Sequence, residues 1–503
     1  MKKGRRDFLR KLSILPLLSL AGTGIGRDFL HVMNPEVSLP LLGKVKIKIP
    51  KDFRNSPFGI GCETLDRNLW DPKEVYPWMD NLPVKWARLQ TGWARVEKEK
   101  GQYDWKWLDE SVDGLLKRGF KPFFNVSYGN PNYTEGDVGY HPMISEEAYT
   151  AWKKFIRALA KRYKNRIKHY EIWNEPNLKG CWMPGEVSPE QYVELVRDTS
   201  LIIRKYCPGA RIIGGVVALL PFNYVKPLFE NGLGNLIDIF SFHPYGNLPE
   251  SYIEPVKNLR RLIDQYNPSI KIWQGECGYP SEPNSSGYTG RPPWTETIQA
   301  KIMLRRLLTD CSLGIDMTLW FLIVDLHDYP KGTGKVNYKG ILRAKPQIGP
   351  KIAFSALQNL GSIIFGDHRK GDAAIYCTGN GTMTVEEAYR HFGTGEGKSL
   401  EGVYSTMIVS SGGKAVAFWD TIKAADKYDV KNIDLLLRDH EGNGFNEPVL
   451  VDPFSGNIYD LSNRFSRIND PANRKVGHTA QVFQKLPLRD YPLIICEKKK
   501  VVH

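Results

Sequence analysis

The chain has 503 residues, 42% of them hydrophobic and 25% charged, enough to bury a large core and more than one domain of ordinary size uses, so one big domain plus a smaller one is expected. Its formal charge of +14 is inflated at the N-terminus, where residues 1–26 carry six basic side chains and one acidic one and leave +9 for the rest. That remainder forms no long basic block, which argues against nucleic acid as a partner and fits an acidic glycan or a plain solvated surface.

In chain order, Lys2, Lys3, Arg5, Arg6, Asp7, Phe8, Leu9, Arg10 and Lys11 precede a short apolar run from Leu12 to Ala21. This reads as a twin-arginine signal peptide over residues 1–26, with an uncleaved anchor or a buried strand as the competing reading. It places the mature protein in the periplasm or outside the cell, without stable membrane insertion after cleavage. The seven cysteines, at 62, 181, 207, 277, 311, 377 and 496, are odd in number and lack CxxC or Cys/His spacing, so neither a disulfide scaffold nor a metal site is expected. Twin-arginine export of an already folded chain is consistent with that.

From 52 to 360, short apolar runs alternate with helix-like segments, the pattern of an α/β domain with a parallel sheet. Candidate strands are Phe58–Cys62, Trp86–Gln90, Lys121–Val126, His169–Trp173, Arg211–Val216, Ile237–Phe242, Lys271–Gly275 and Asp316–Phe321. Eight strands match a closed (β/α)8 TIM barrel. Ser145 caps a helix with an apolar face through Tyr149, Trp152, Ile156, Leu159 and Tyr163, and Ser188, Pro189 and Gln191 form a capping box before Tyr192. A doubly wound nucleotide-binding fold would need a GxGxxG turn between strand and helix. Gly22, Gly24 and Gly26 fall at the signal's end, and Gly393, Gly395 and Gly397 in a polar loop, so neither set fits. Over 361–503 the pattern becomes alternating runs, Val403–Val409, Lys414–Trp419, Ile433–Leu437, Val449–Val451 and Leu493–Cys496, which predict a C-terminal antiparallel β-sandwich. The run Val45–Ile49, within 35–51, is a candidate extra strand for it.

Two carboxylates carry the chemistry. The fourth strand ends in His169-Tyr170-Glu171-Ile172-Trp173-Asn174-Glu175-Pro176-Asn177, and the seventh in Trp273-Gln274-Gly275-Glu276-Cys277. Both Glu175 and Glu276 therefore fall on the C-terminal rim, where barrel enzymes build their sites. Breaking a glycosidic bond with retention needs a proton donor, here Glu175 beside Trp173, and a carboxylate nucleophile roughly 5–5.5 Å away, here Glu276. Two carboxylates suffice for this, so no cofactor is called for and the partner is an oligo- or polysaccharide. The 13 Trp, 24 Tyr and 21 Phe residues suit sugar stacking, and equally a large core.

On these residues the chain resembles the clan A retaining glycoside hydrolases, over about residues 55–350. Further matches are Arg88 in Trp86-Ala87-Arg88-Leu89-Gln90-Thr91-Gly92-Trp93, the run Gly101-Gln102-Tyr103-Asp104-Trp105 through Asp109, and Ser241-Phe242-His243-Pro244-Tyr245. Within the clan the Trp-Asn-Glu-Pro-Asn wording and the sandwich are most similar to the β-xylosidase and α-L-iduronidase family, family 39. The resemblance implies that Arg88 keeps Glu276 ionised, that Asn174 bonds the sugar 2-hydroxyl and that Tyr245 donates to the nucleophile. His243 either shapes the site or touches substrate, and Trp320 is either a hydrophobic floor under the sugar or core. Asn125 and Tyr128 are candidate sugar contacts. Glu63 either bonds sugar hydroxyls or pairs with a base. A carbohydrate-binding barrel without catalysis, or a transglycosylase, would use the same scaffold. The loops Asn130–Pro142 and Tyr279–Pro293 would decide between internal attack and end-trimming, and the default sugar is a neutral pentoside or hexoside.

Overall fold

The computed structural model describes residues 38–246, 248–287, 293–379, 399–470 and 479–502. The expected signal segment with Gly22, Gly24 and Gly26, the glycines Gly393, Gly395 and Gly397, and part of the Tyr279–Pro293 loop lie outside them. Residues from Ser38 onward form one compact unit.

Eight parallel strands close a barrel: Phe58–Gly61, Trp86–Gln90, Lys121–Val126, His169–Ile172, Arg211–Ala218, Ile239–His243, Lys271–Cys277 and Met317–Trp320. The last returns to the first, with Phe58 opposite Thr318 and Ile60 opposite Trp320. Because strand side chains alternate sides, every second residue points into the barrel. Trp86, Phe123, Ile213, Ile239, Trp273, Met317 and Leu319 form an apolar inner cluster. Two residues further along their strands, Arg88, Asn125 and Ser241 meet Glu171 in a polar layer. The barrel interior thus changes from hydrophobic to ionic toward the rim.

The surrounding helices begin where cap chemistry allows. Ser145 Oγ accepts from Ala148 N at 3.1 Å ahead of Glu146–Tyr163, and Ser188 Oγ accepts from Gln191 N at 3.2 Å ahead of Pro189–Tyr206, each satisfying a donor the helix leaves open. Trp152, Ile156, Leu159 and Tyr163 are buried as the spacing predicts, while Tyr149 sits at the edge of that face with its hydroxyl on Asp198. No helix among the described residues is long and apolar enough to cross a membrane.

The C-terminal part is a sandwich of two antiparallel sheets. One runs in the order Leu41–Lys44, Asn457–Asp460, Pro448–Val451, Leu493–Glu497, Gly413–Asp420, Val403–Ser410 and His368–Lys370. The other runs Ala373–Gly379, Lys431–Asp439, Thr479–Leu488 and Phe465–Asn469. The N-terminal strand is Leu41–Lys44 rather than the expected Val45–Ile49. Its partner pairs only as far as Lys44 opposite Asn457, after which Val45 N bonds Gly456 O and Lys48 N bonds Ser362 Oγ. Helix Glu296–Ser312 links the two architectures and is buried along its length from Thr297. Its charged residues are consequently paired: Lys301 Nζ donates to Asp490 at 3.0 Å, and Arg305 forks onto Glu250 at 2.8 and 2.7 Å while also donating to Ile422 O at 2.7 Å. Glu250 is shared with Trp419 Nε1 of the sandwich at 2.6 Å.

Candidate active site

The chain leaves the fourth strand through two non-glycine residues in the left-handed region, Trp173 at φ 71° and Glu175 at φ 47°. Such conformations each cost about 1–3 kcal/mol and persist only where the surroundings impose them. Trp173 N bonds Val126 O and Glu175 N bonds Val216 O, both at 2.9 Å, and Trp173 Nε1 donates to Cys181 O at 2.7 Å. The zigzag turns Glu175 into the barrel mouth, where Oε1 meets His243 Nδ1 at 2.9 Å.

Glu276, near the end of the seventh strand, accepts from Arg88 Nη1 at 2.7 Å through Oε2 and from the Tyr245 hydroxyl at 2.7 Å through Oε1. Burial alone would raise its pKa, but the charges of His243 and Arg88, the Tyr245 hydrogen bond and Lys339 outweigh it and hold the carboxyl below the ordinary range. His243 is fully buried; burial opposes its protonation, and the Glu175 hydrogen bond and the charge of Glu276 push its pKa up nonetheless. The Glu175 and Glu276 side chains keep 14% and 13% of their surface open, whereas Arg88 and His243 keep none. The two carboxylates are therefore open to a ligand in the mouth, and Arg88 and His243 are not.

Arg88 organises the layer below. Besides Glu276 it donates from Nε to Glu171 at 2.6 Å, from Nη1 to Glu63 at 3.2 Å and from Nη2 to Asn174 Oδ1 at 2.7 Å. One guanidinium faces three carboxylates, and burial, opposed by Arg88 and reinforced by Glu276, pushes Glu63 up to about 7. Gly275 makes room for this layer, since a Cβ there would stand 2.1 Å from Ser241 Oγ and 2.9 Å from Glu171 Oε1.

The structure thus gathers Glu175, Glu276, Arg88, Asn174, His243, Tyr245 and Glu63 in one network, and Tyr128 packs edge-on against Trp173 at 5.9 Å. The structure overturns the expectation for Asn125 and decides between the two alternatives stated for Trp320 and for Glu63. Asn125 is fully buried and donates to Glu171 and to Trp173 O, so it braces the fourth strand instead of facing a sugar. Trp320 has no exposed surface and donates to Lys339 O at 3.1 Å, which makes it a support behind the site. Glu63, 1% exposed, pairs with Arg88 and is not open to sugar hydroxyls.

Sequence reading missed Glu171, whose inward position follows from its two-residue spacing to His169, a ring packed on Trp86 and Trp273 inside the barrel, and Lys339, which no local signal marks. One oxygen each of Glu175 and Glu276 and a His243 ring nitrogen lie within 4.8 Å of one another, the grouping among the described residues that by donor type could hold a metal ion. Arg88, Tyr245 and the Glu175–His243 bond already occupy those donors. The seven thiols are free.

The model of the glycosyl hydrolases family 39 matches residues 87–312, a span containing both glutamates. Over that span the chain is similar to the family 39 glycoside hydrolases. A β-xylosidase of Caldicellulosiruptor saccharolyticus is 30% identical over 149 residues, which is 27% of this chain and 30% of that protein. Less than a third of that relative's length is thus matched. Among solved structures, a family 39 glycoside hydrolase from the gut symbiont Bacteroides cellulosilyticus WH2 superposes at TM-score 0.60 with 16% identity over 90% of this chain and 82% of that one. A monomeric β-xylosidase from Caulobacter crescentus CB15 superposes at 0.55 with 16% identity, over 91% and 98%. These likenesses extend the family 39-type fold through the sandwich.

Proposed function

We propose that the protein is a retaining glycoside hydrolase that cleaves an oligo- or polysaccharide by double displacement, with Glu175 as acid/base and Glu276 as nucleophile. The observation that carries the reading is the approach of the two reachable carboxylates, whose nearest oxygens lie within 4.8 Å. Inverting enzymes keep a water between carboxyls roughly 6.5–9.5 Å apart, so this spacing favours direct attack. Glu276, held anionic by Arg88 and Tyr245, attacks the anomeric carbon while Glu175 gives its proton to the departing oxygen. Water then cleaves the glycosyl ester as Glu175 takes a proton back. His243 orients Glu175, and Asn174, steered by Arg88, bonds the sugar 2-hydroxyl. The β-xylosidase relatives make β-xylosides the first substrates to try. The twin-arginine motif at Arg5 and Arg6 supports action in the periplasm or outside the cell.

Purified protein, with Glu276→Gln as the blank, is to be incubated with aryl β-xylosides, β-glucosides, β-galactosides, α-L-arabinosides and uronides, following the first-formed anomer by NMR. Release by the wild type alone, with configuration initially retained, is expected. Inversion, or an active Glu276→Gln, overturns the assignment.

A further inference from the structure

The segment after the eighth strand brings Lys339 to the site. Its surroundings are held on both sides: Gly340 N donates to Asp325 Oδ1 at 3.0 Å, Lys351 Nζ donates to the same oxygen at 2.6 Å, and Gln299 Nε2 donates to Tyr338 O and Gly340 O, each at 3.2 Å. With Trp320 on its own carbonyl, the backbone of Lys339 is fixed. The side chain is 3% exposed, and its ammonium lies 4.6 Å from the centroid of the Tyr245 ring and 5.9 Å from that of Phe321. Tyr245 is the residue whose hydroxyl bonds Glu276. Among the described residues no salt bridge engages Lys339; burial pulls its pKa down to about 8, against the charges of Glu276, Cys277 and Glu175. A buried ammonium without a carboxylate of its own is costly to keep, and its field acts strongly on neighbours because little water screens it.

Glu276 is the neighbour whose charge would change during the reaction, and this inference rests on its role as nucleophile. It goes from carboxylate to neutral ester and back. Arg88 is shared with Glu171 and Glu63, so it does not serve Glu276 alone. A second cation favours the carboxylate over the ester, which slightly restrains the first attack and assists the second step. We propose that Lys339 is a positioning residue for deglycosylation, its ammonium packed over the Tyr245 ring and stabilising the carboxylate that Glu276 regains. In that step water bonds through its oxygen to the anomeric carbon and gives a proton to Glu175. The bond from the anomeric carbon to the Glu276 oxygen breaks, and its electron pair stays on Glu276, beside Arg88, Tyr245 and Lys339.

Rapid-mixing kinetics on a dinitrophenyl β-xyloside, or the dinitrophenyl glycoside of whichever sugar the full chain cleaves, tests this with Lys339→Met and Lys339→Arg. For Lys339→Met, kcat and KM are expected to fall together by about tenfold or more, with kcat/KM changed less than about threefold and a burst of one dinitrophenolate per enzyme larger than in the wild type. Lys339→Arg is expected to recover most of kcat. A raised KM at unchanged kcat would mean that Lys339 grips the sugar, and a fall in kcat/KM without a burst would mean that it serves the first step or the fold; either overturns the inference. If Lys339→Met loses its cooperative melting transition, Lys339→Gln takes its place under the same criteria. An active Glu276→Gln would sink the nucleophile assignment itself, whereas an inactive one with no burst in the lysine variants would sink only the role of Lys339.

Discussion

Arg88 has more anions around it than one positive charge can neutralise, and Glu63 absorbs the excess. Its carboxyl is lifted from the ordinary 4.5 to about 7, chiefly by burial. A carboxyl raised in the folded state contributes stability in full below its open-chain pKa and loses it as pH rises through the folded value. Thermal unfolding midpoints measured from about pH 5 to 8 are therefore expected to decline with pH, and Glu63→Gln, which stays neutral, should flatten that decline. Glu276, shifted the opposite way, titrates below this window. Identical slopes in variant and wild type would show that Glu63 is ionised throughout. In the sequence Glu63 is an acid after the first strand that meets sugar hydroxyls or pairs with a base, and nothing there names the base. Its pairing with Arg88 depends on the barrel closing residues 25 positions apart onto one point, which no local pattern encodes.

Strand ends proved the most legible elements, because alternation and apolar runs mark them directly and the rim glutamates follow within a few residues. All eight barrel strands lie where the apolar runs predict, within two residues at each end, and Glu175 and Glu276 come with them. The run Val45–Ile49 misled for a physical reason: its alternation with Lys46 and Lys48 is that of a strand, but the neighbouring strand ends too soon to pair with it. Phe465–Asn469 and Thr479–Leu488 escaped notice because polar residues interrupt their apolar runs. The seventh strand also contains a packing constraint that looks like an ordinary glycine. Gly275→Ala would drive a methyl group into Ser241 Oγ and is expected to cost about 1–3 kcal/mol and most of the activity. Adding Ser241→Ala should restore part of both, as read by melting temperature and kcat. If the double variant is no better than the single one, the clash lies with Glu171 instead.

Across the whole molecule, helix Glu296–Ser312 joins barrel and sandwich through buried charges. Arg305 binds Glu250 beside Trp419 and donates to the backbone of Thr421 and Ile422. Removing one member of a buried pair leaves the other uncompensated, so Arg305→Ala is expected to destabilise by about 3–5 kcal/mol. Denaturant unfolding should show the barrel and sandwich melting together at lower concentration. A separate early transition of the sandwich with an unaffected barrel would contradict the coupling. The strand Leu41–Lys44 has a related consequence for how the protein is made. It lies at the edge of a sheet whose other strands all come from the last third of the chain, and Lys44 Nζ reaches the carbonyl of Ser455, 411 residues away. While the chain emerges from the ribosome, this strand has nothing to pair with until Asn457–Asp460 has been synthesised. The sheet can be completed only after Glu497 has emerged, so a ribosome stalled shortly after residue 360 carries a closed barrel whose N-terminal strand is still unpaired.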